Sequence, residues 1–362
     1  MNTIEFGDCR ETMRKWASQG VKAQTCVTSP PYYGLRDYGT GKWIGGDETC
    51  SHKRDSKYSD KTITGHANKE LTVGDAIYKS VCPKCGAVRE DRQLGLEETP
   101  EEYIKAMVEV FRCVWDVLED DGTLWLNIGD SYYNYRPGKG QALVKQSVAN
   151  SDQDLPQICA RRGNKLEGLK EKDLIGIPWM LAFALRADGW YLRQDIIWHK
   201  PNPMPESVND RCTKSHEYIF LLSKSRKYHF DHIAIKEPLK GEPESRDKNA
   251  EGYQADYAKG DRFSQGERVF GADGMANKRS VWSVPVKPYS GAHFAVFPSE
   301  LIEPCILAGA PLGGIVLDPF MGSGTTAQVA QDLGRQYIGC ELNPAYEKLQ
   351  NKRTAQTSLG FA

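Results

Sequence analysis

The stretch that most restricts the fold runs from residue 314 to residue 341. Residues 314–317 read as a short apolar strand. Asp318-Pro319-Phe320-Met321-Gly322-Ser323-Gly324 follows, then Thr325-Thr326 at the head of a helix, then a second strand over 337–340 that ends on Glu341. A strand, a glycine-rich turn, a helix and another strand make a βαβ unit, whose two strands lie parallel in one sheet. Gly322 and Gly324 supply positive φ and let the backbone come close to a bound molecule. Thr325 and Thr326 are placed to cap the helix. An acid at the end of the second strand is set to accept both hydroxyls of a ribose. The turn lacks Gly-x-x-x-x-Gly-Lys-Ser/Thr, so it suits a nucleoside rather than a phosphate group. Without a ligand, the same turn would simply close a Rossmann-like unit.

A second string lies at the other end of the chain: Thr28-Ser29-Pro30-Pro31-Tyr32. The preceding residues read as a strand over 3–6, the turn Gly7-Asp8, a helix over 11–19 and an apolar strand over 25–28. Consecutive prolines cannot continue a central strand, so the chain leaves the sheet at Ser29. That is a carboxyl end, where open α/β sheets bind ligands. The string suits chemistry on an exocyclic amine of a nucleobase. Such an amine is a poor nucleophile because its lone pair is delocalised into the ring, and it must pyramidalise to attack an electrophile. Acceptors aimed at its hydrogens, here the Ser29 hydroxyl and the Pro30 carbonyl, stabilise charge where it develops. Pro30 and Pro31 stiffen the mount, and Tyr32 offers a face for stacking. As a bare string, Ser-Pro-Pro-Tyr would equally serve as a surface turn.

Between the two strings the chain continues in α/β grammar. Thr99-Pro100-Glu101-Glu102 starts a helix with a cap, a proline in the first turn and acids at its positive end. Asp121-Gly122 ends that helix, and a strand covers 123–128. A helix from Ile177-Pro178 to about Ala187, a strand over 191–198, a polar hairpin and a strand over 217–222 follow. Phe297-Pro298-Ser299-Glu300 opens another helix. Three stretches break the pattern: 40–96, 131–170 and 236–290, all rich in glycine and charge. They read as insertions in a single domain spanning 1–362. The last two, together with 200–216, are candidates for DNA contact through residues such as Arg161 and Arg162.

Taken in this order, the two strings resemble the N4-cytosine/N6-adenine family of DNA methyltransferases, in its circularly permuted (beta-type) branch. The resemblance continues through Tyr33-Gly34-Leu35-Arg36-Asp37-Tyr38 and His199-Lys200-Pro201-Asn202 and covers about two thirds of the chain. It implies an α/β, Rossmann-like S-adenosylmethionine-dependent methyltransferase fold, circularly permuted, with loop insertions. It implies S-adenosylmethionine as cofactor and double-stranded DNA as partner, with the target base flipped into the pocket. The expected cofactor site is Asp8, His293, Phe297, Asp318, Pro319, Phe320, Gly322, Gly324, Thr325, Thr326, Glu341 and Asn343. The segment 293–298 would line the methionine end, although Phe294 stands where the family usually has proline. Asp8 would face the adenine if the first strand neighbours the one ending in Glu341; a plain helix cap is its other role. The expected catalytic residues are Ser29, Pro30, Pro31 and Tyr32. Serine in the first position is more typical of N4-cytosine enzymes and aspartate of adenine enzymes, so N4 of cytosine is expected, with N6 of adenine the alternative. A non-catalytic DNA-binding protein that keeps the fold is the rival from another class. Methylation at carbon 5 would need a Pro-Cys nucleophile loop, and the sole Pro-Cys, Pro304-Cys305, falls within a predicted helix.

The insertion at 40–96 holds Cys82-Pro83-Lys84-Cys85-Gly86, a zinc knuckle in form. Cys50 and His52 complete a tetrahedral set, with His66 a rival ligand. A glycine-rich insertion with little core is where a metal stabilises most. Of the ten cysteines, Cys9, Cys26, Cys113, Cys159, Cys212, Cys305 and Cys340 read as small apolar fillers. So many cysteines without an export signal point to a reducing compartment, the cytoplasm of a bacterium or a phage host. The net charge is -1, so any grip on DNA must come from a local basic face rather than bulk charge. Monomer and homodimer both remain open. No nuclease signature accompanies the motifs, which fits a modification enzyme acting alone.

Overall fold

The computed structural model describes residues 1–34, 40–52, 81–133, 166, 168–239, 274–287 and 297–355. β1 (Asn2–Phe6), α1 (Cys9–Ser18) and β2 (Ala23–Thr28) open the chain, and β3 (Lys42–Ile44) pairs with β4 (Val88–Glu90) as a small separate ribbon. Next come α2 (Pro100–Val117), β5 (Leu118–Ile128), α3 (Ile177–Ala187), β6 (Tyr191–His199) and β7 (His216–Ser223). After β8 (Glu237–Pro238), β9 (Met275–Ala276) and β10 (Val281–Ser283), the chain closes with α4 (Ser299–Gly309), β11 (Ile315–Asp318), α5 (Thr325–Asp332), β12 (Gln336–Glu341) and α6 (Glu347–Ala355).

Among the described residues, eight strands form one sheet in the order β1-β12-β11-β2-β5-β7-β6-β10. Only β7 runs antiparallel to its neighbours; every other adjacent pair is parallel. The C-terminal strands β11 and β12 therefore sit between the N-terminal strands β1 and β2. This brings the ends of β2, β11 and β12 side by side, with Phe6 opposite Glu341 at the end of β1.

Alternation along the strands feeds two cores. Cys26, Leu124, Leu126, Leu317 and Ile338 face α1, α2 and α3. Val27, Trp125, Val316 and Tyr337 face α4 and α5. A parallel sheet covered on both faces needs such apolar runs, and β2, β5, β11 and β12 supply them. α2 starts as expected: Thr99 Oγ1 accepts from Glu102 N at 3.1 Å, and Glu102 Oε2 accepts from Thr99 N at 3.2 Å. Gly176 at the head of α3 has no side chain to cap with, and Asp130 reaches in instead. Its carboxylate accepts from Gly176 N at 3.0 Å and Ile177 N at 3.1 Å.

Four local expectations need correction. α1 begins at Cys9 rather than residue 11, because Asp8 Oδ1 accepts from Arg10 N and caps it there. Asp121-Gly122 does not end α2. The helix stops at Val117 and β5 starts at once, absorbing residues 119–122 as a bulge between the pairs Ala23–Leu118 and Thr25–Thr123. The stretch 236–290 is not wholly an insertion, since β10 joins the edge of the main sheet against β6. Cys212 is exposed rather than a filler, whereas Cys9, Cys26, Cys113, Cys305 and Cys340 are buried as expected. Cys159, Arg161, Arg162, His66 and the string 35–38 lie outside the described residues. Among the described residues, no helix is long and apolar enough to cross a membrane.

Candidate active site

The carboxyl ends of the strands open into a cavity of about 550 Å³. Ser29, Pro30, Pro31 and Tyr32 line one part of it; Pro319, Phe320, Gly322, Thr325, Glu341, Asn343 and Phe297 line another. The two strings, some three hundred residues apart in sequence, thus share one space, of a size that suits a cofactor-sized ligand.

Glu341 is the best-placed acceptor. It is 9% exposed, and its carboxylate is aimed by two backbone donors: Gly322 N to Oε2 at 2.8 Å and Asn343 N to Oε1 at 2.8 Å. Burial pushes its pKa up to about 7 against those bonds. Each oxygen keeps a lone pair for a ligand hydroxyl. Gly322 (φ 53°) and Gly324 (φ 87°) both adopt the left-handed region that the turn requires. A Cβ on Gly324 would also lie 3.2 Å from Gln350 Cα, while Gln350 Nε2 donates to Gly322 O at 2.7 Å. α6 therefore braces the turn from behind.

Asp318, Gly324 and Thr326, expected to bind cofactor, stand behind the cavity wall instead. Asp318 is 1% exposed. It accepts from Thr28 Oγ1 and Thr326 Oγ1, each at 2.6 Å, and from Phe320 N at 3.0 Å. It is the knot joining the end of β2, the turn after β11 and the start of α5; burial pushes its carboxyl up to about 6. This corrects the capping expectation: Gly324 is the N-cap and no side chain caps α5, because Thr326 gives its hydroxyl to Asp318. The Thr325 hydroxyl is buried at the cavity without a partner among the described residues, an arrangement that calls for a ligand atom. Replacing Asp318 with alanine should leave two buried hydroxyls and the half-buried Phe320 N–H without their acceptor. At about 1–3 kcal/mol each, partly offset by relief of carboxylate desolvation, a net loss of about 2–4 kcal/mol is expected. Urea unfolding would measure it, and an unchanged midpoint would contradict the role.

Asp8 does act as the helix cap. It also holds Arg10 Nη2 at 2.6 Å and lines the cavity. Asn343 also lines it, with Oδ1 accepting from Ala345 N. Phe297 is at the wall, and His293 lies outside the described residues.

The Ser29–Tyr32 turn is fastened from two sides. Tyr103 Oη donates to Pro31 O at 2.9 Å, and Gly34 N donates to Gly95 O at 2.9 Å. Tyr32 is more than a stacking face. Its hydroxyl donates to Glu217 Oε2 at 2.8 Å, with Asn127 Oδ1 at 3.2 Å. Burial, then the charge of Glu217, raises its pKa well above the usual phenol value, so it remains a donor. The ring rests on Gly129, where a Cβ would come within 2.7 Å of Tyr32 Cε2. Glu217 also pairs with Lys200, whose ammonium lies 4.3 Å from the centroid of the Trp198 ring. Lys214 donates to Asp130 O at 3.3 Å, and burial lowers its pKa. Sequence reading did not single out Glu217, Asn127, Asp130 or Lys214. Their one signal was position, at strand ends and their connections on the side where the motifs lie, and reading it requires the order of the strands. Pro304-Cys305 lies in α4 with Cys305 buried, so it offers no nucleophile loop.

The comparisons with known proteins agree with this geometry. A family model for the N6/N4 DNA methylases matches residues 23–352. The type II methyltransferase M.SmaI of Serratia marcescens is 41% identical over 353 residues, covering 97% of this chain and 89% of that protein. M.Cfr9I of Citrobacter freundii, also a type II methyltransferase, is 40% identical over 344 residues, covering 95% and 84%. Among solved structures, the cytosine-N4-specific PvuII DNA methyltransferase aligns with a TM-score of 0.53 at 15% identity, over 99% of this chain and 88% of that one. A DNA modification methylase of Thermus thermophilus, complexed with S-adenosyl-L-methionine, aligns with a TM-score of 0.52 at 20% identity, over 100% and 96%. These two likenesses speak for the fold. With the family model spanning most of the chain and relatives near 40% identity, this chain belongs to the N6/N4 DNA methylase family and is a DNA methyltransferase.

Proposed function

We propose that the protein transfers the methyl group of S-adenosylmethionine to the N4 amine of cytosine, at a short site in duplex DNA, with the target base flipped out of the helix. The observation that carries this reading is the shared cavity, with Ser29–Tyr32 on one wall and Gly322, Thr325 and Glu341 on another. Glu341 accepts the cofactor's ribose hydroxyls, Thr325 Oγ1 meets a polar cofactor atom, and Phe297 and Phe320 pack against its apolar parts. Ser29 Oγ and the Pro30 carbonyl take the two amine hydrogens as the nitrogen pyramidalises. Glu217 and Asn127 hold Tyr32 by its hydroxyl, which fixes the ring as a wall for the flipped base. Transfer is an in-line displacement at the sulfonium, driven by positioning, and needs no covalent nucleophile. Serine rather than aspartate at position 29 favours cytosine over adenine.

Several further readings go with it. The tetrapeptide precedes the cofactor turn in sequence yet adjoins it in the sheet, which supports a circularly permuted arrangement within one domain. The stretches around 131–170, 200–216 and 236–290 are the proposed target-recognition segments. A bacterial cytoplasm is the proposed setting. Incubation with methyl-labelled S-adenosylmethionine and unmethylated duplex DNA tests the core of the proposal. Label should enter the DNA. Label found only in RNA or protein, or in nothing while cofactor still binds, would overturn it.

A further inference from the structure

We propose that Cys50, His52, Cys82 and Cys85 hold a structural zinc ion, and that this ion fastens the segment that backs the Ser29–Tyr32 turn. Their four ligand atoms all lie within 4.8 Å of one another. Cys50 Sγ and Cys82 Sγ are 3.8 Å apart, and Cys85 Sγ is 3.5 Å from His52 Nδ1. A tetrahedral zinc with Zn–S near 2.3 Å and Zn–N near 2.0 Å spaces sulfurs about 3.8 Å apart and sulfur and nitrogen about 3.5 Å apart. A disulfide would need about 2.05 Å between sulfurs, so none joins Cys50 to Cys82 here.

The surroundings are built for a metal. Cys82 O accepts from Gly86 N and Cys82 N donates to Ala87 O, each at 2.8 Å, which closes the tight turn of a knuckle. His52 adopts a positive φ of 50°, unusual outside glycine, and its ring stacks on Trp43 with centroids 4.4 Å apart. The local backbone thus holds an uncommon conformation at the residue that completes the ligand set. The ribbon β3–β4 is two strands of three residues each, far too little to stand alone in water. A metal supplies what the missing core does not.

The chain leaving β4 runs from the ribbon to the active-site cavity. Asp91 Oδ1 accepts from Thr40 Oγ1 at 2.9 Å and Gln93 N at 3.0 Å. Thr40, Arg92, Gln93 and Leu94 line the active-site cavity. Gly95 then passes behind the tetrapeptide so closely that a Cβ there would lie 2.9 Å from Tyr32 O and 3.3 Å from Pro31 O. Anything that loosens the ribbon therefore loosens the support of the turn.

The site is testable without an activity assay, so its failure is distinct from failure of the proposed reaction. Elemental analysis of the purified full chain should give one zinc per chain. Cobalt(II) exchanged for zinc should give the visible absorption of a tetrahedral thiolate site. A Cys82→Ser, Cys85→Ser double variant should lose the metal, whereas Cys212→Ser keeps it. Should the double variant fail to fold, chelator-stripped wild-type protein carries the test. Its deuterium uptake should rise over residues 91–98 and at the Gly34 amide, and readdition of zinc should restore it. Protein that is metal-free as purified and takes up neither zinc nor cobalt stoichiometrically would overturn the site. A double variant that retains the metal would do the same. Unchanged exchange at Gly34 after stripping would overturn the proposed support of the turn.

Discussion

Replacing Ser29 by alanine is expected to lower kcat about 10²–10³-fold while leaving S-adenosylmethionine affinity within about twofold, the usual effect of deleting one preorganised acceptor at a developing charge. Ser29 is half-buried just past β2, one strand removed from β12, which ends on Glu341, and lines the cavity with Tyr32. Its hydroxyl meets the amine most strongly once the nitrogen pyramidalises, so its loss weakens the transition state more than either ground state. Kd by calorimetry and single-turnover rates would separate the two. The fold should survive, because neither Asp318 nor Tyr103, which anchor Thr28 and Pro31, is touched. A variant with wild-type kcat would remove Ser29 from the mechanism. A variant that merely bound cofactor worse would move it to the other wall.

Glu341→Ala is expected to weaken S-adenosylmethionine binding by about 10²-fold or more, since two charge-assisted hydrogen bonds to ribose are worth about 1.5–3 kcal/mol each before losses to solvent. The same residue predicts a pH dependence in the wild-type protein. Burial holds its carboxyl near 7, and hydroxyl donors select the ionised form. Affinity should therefore be full above about pH 7 and fall as pH drops through it, by up to about tenfold per pH unit, because binding must expel a proton. Glu341→Gln should flatten that dependence along with the affinity. Tight binding by Glu341→Ala, or a Kd that does not move between pH 5.5 and 8 (a range chosen to straddle the value of about 7), would contradict the assignment.

What the sequence disclosed and what it hid divide along physical lines. The unit from Ile315 to Glu341 was legible because its signals are local: glycines that need positive φ, a helix behind them, an acid closing the second strand. The exit of the chain at Ser29 was legible because proline cannot continue a central strand. The inward role of Asp318 was not. Its partner Thr28 is 290 residues away, and an acid opening a glycine-rich turn looks the same whether it faces a ligand or a neighbouring strand. Thr326 misled for a related reason: a hydroxyl at a helix head has several acceptors in reach, and the buried carboxylate took it. Glu217 stayed hidden because β7 runs against the other strands. Its first residues thereby arrive beside Tyr32, 185 positions away. β10 was lost in a polar stretch because a three-residue edge strand carries too little alternation to stand out. The cysteine-histidine set was legible by residue type alone, although 32 positions separate Cys50 from Cys82.

The central claim is that one cavity holds a methyl donor on one wall and an exocyclic amine on another. It is tested most directly by digesting the methylated DNA to nucleosides and identifying the product by mass spectrometry. N4-methyldeoxycytidine, formed far more slowly when Ser29→Ala is used, is the predicted result. N6-methyldeoxyadenosine would keep the fold, cofactor and displacement mechanism and overturn the assignment of the base. 5-Methyldeoxycytidine would contradict the account outright, because Cys305 is buried within α4 and Ser29–Tyr32 offers no thiol to attack the ring.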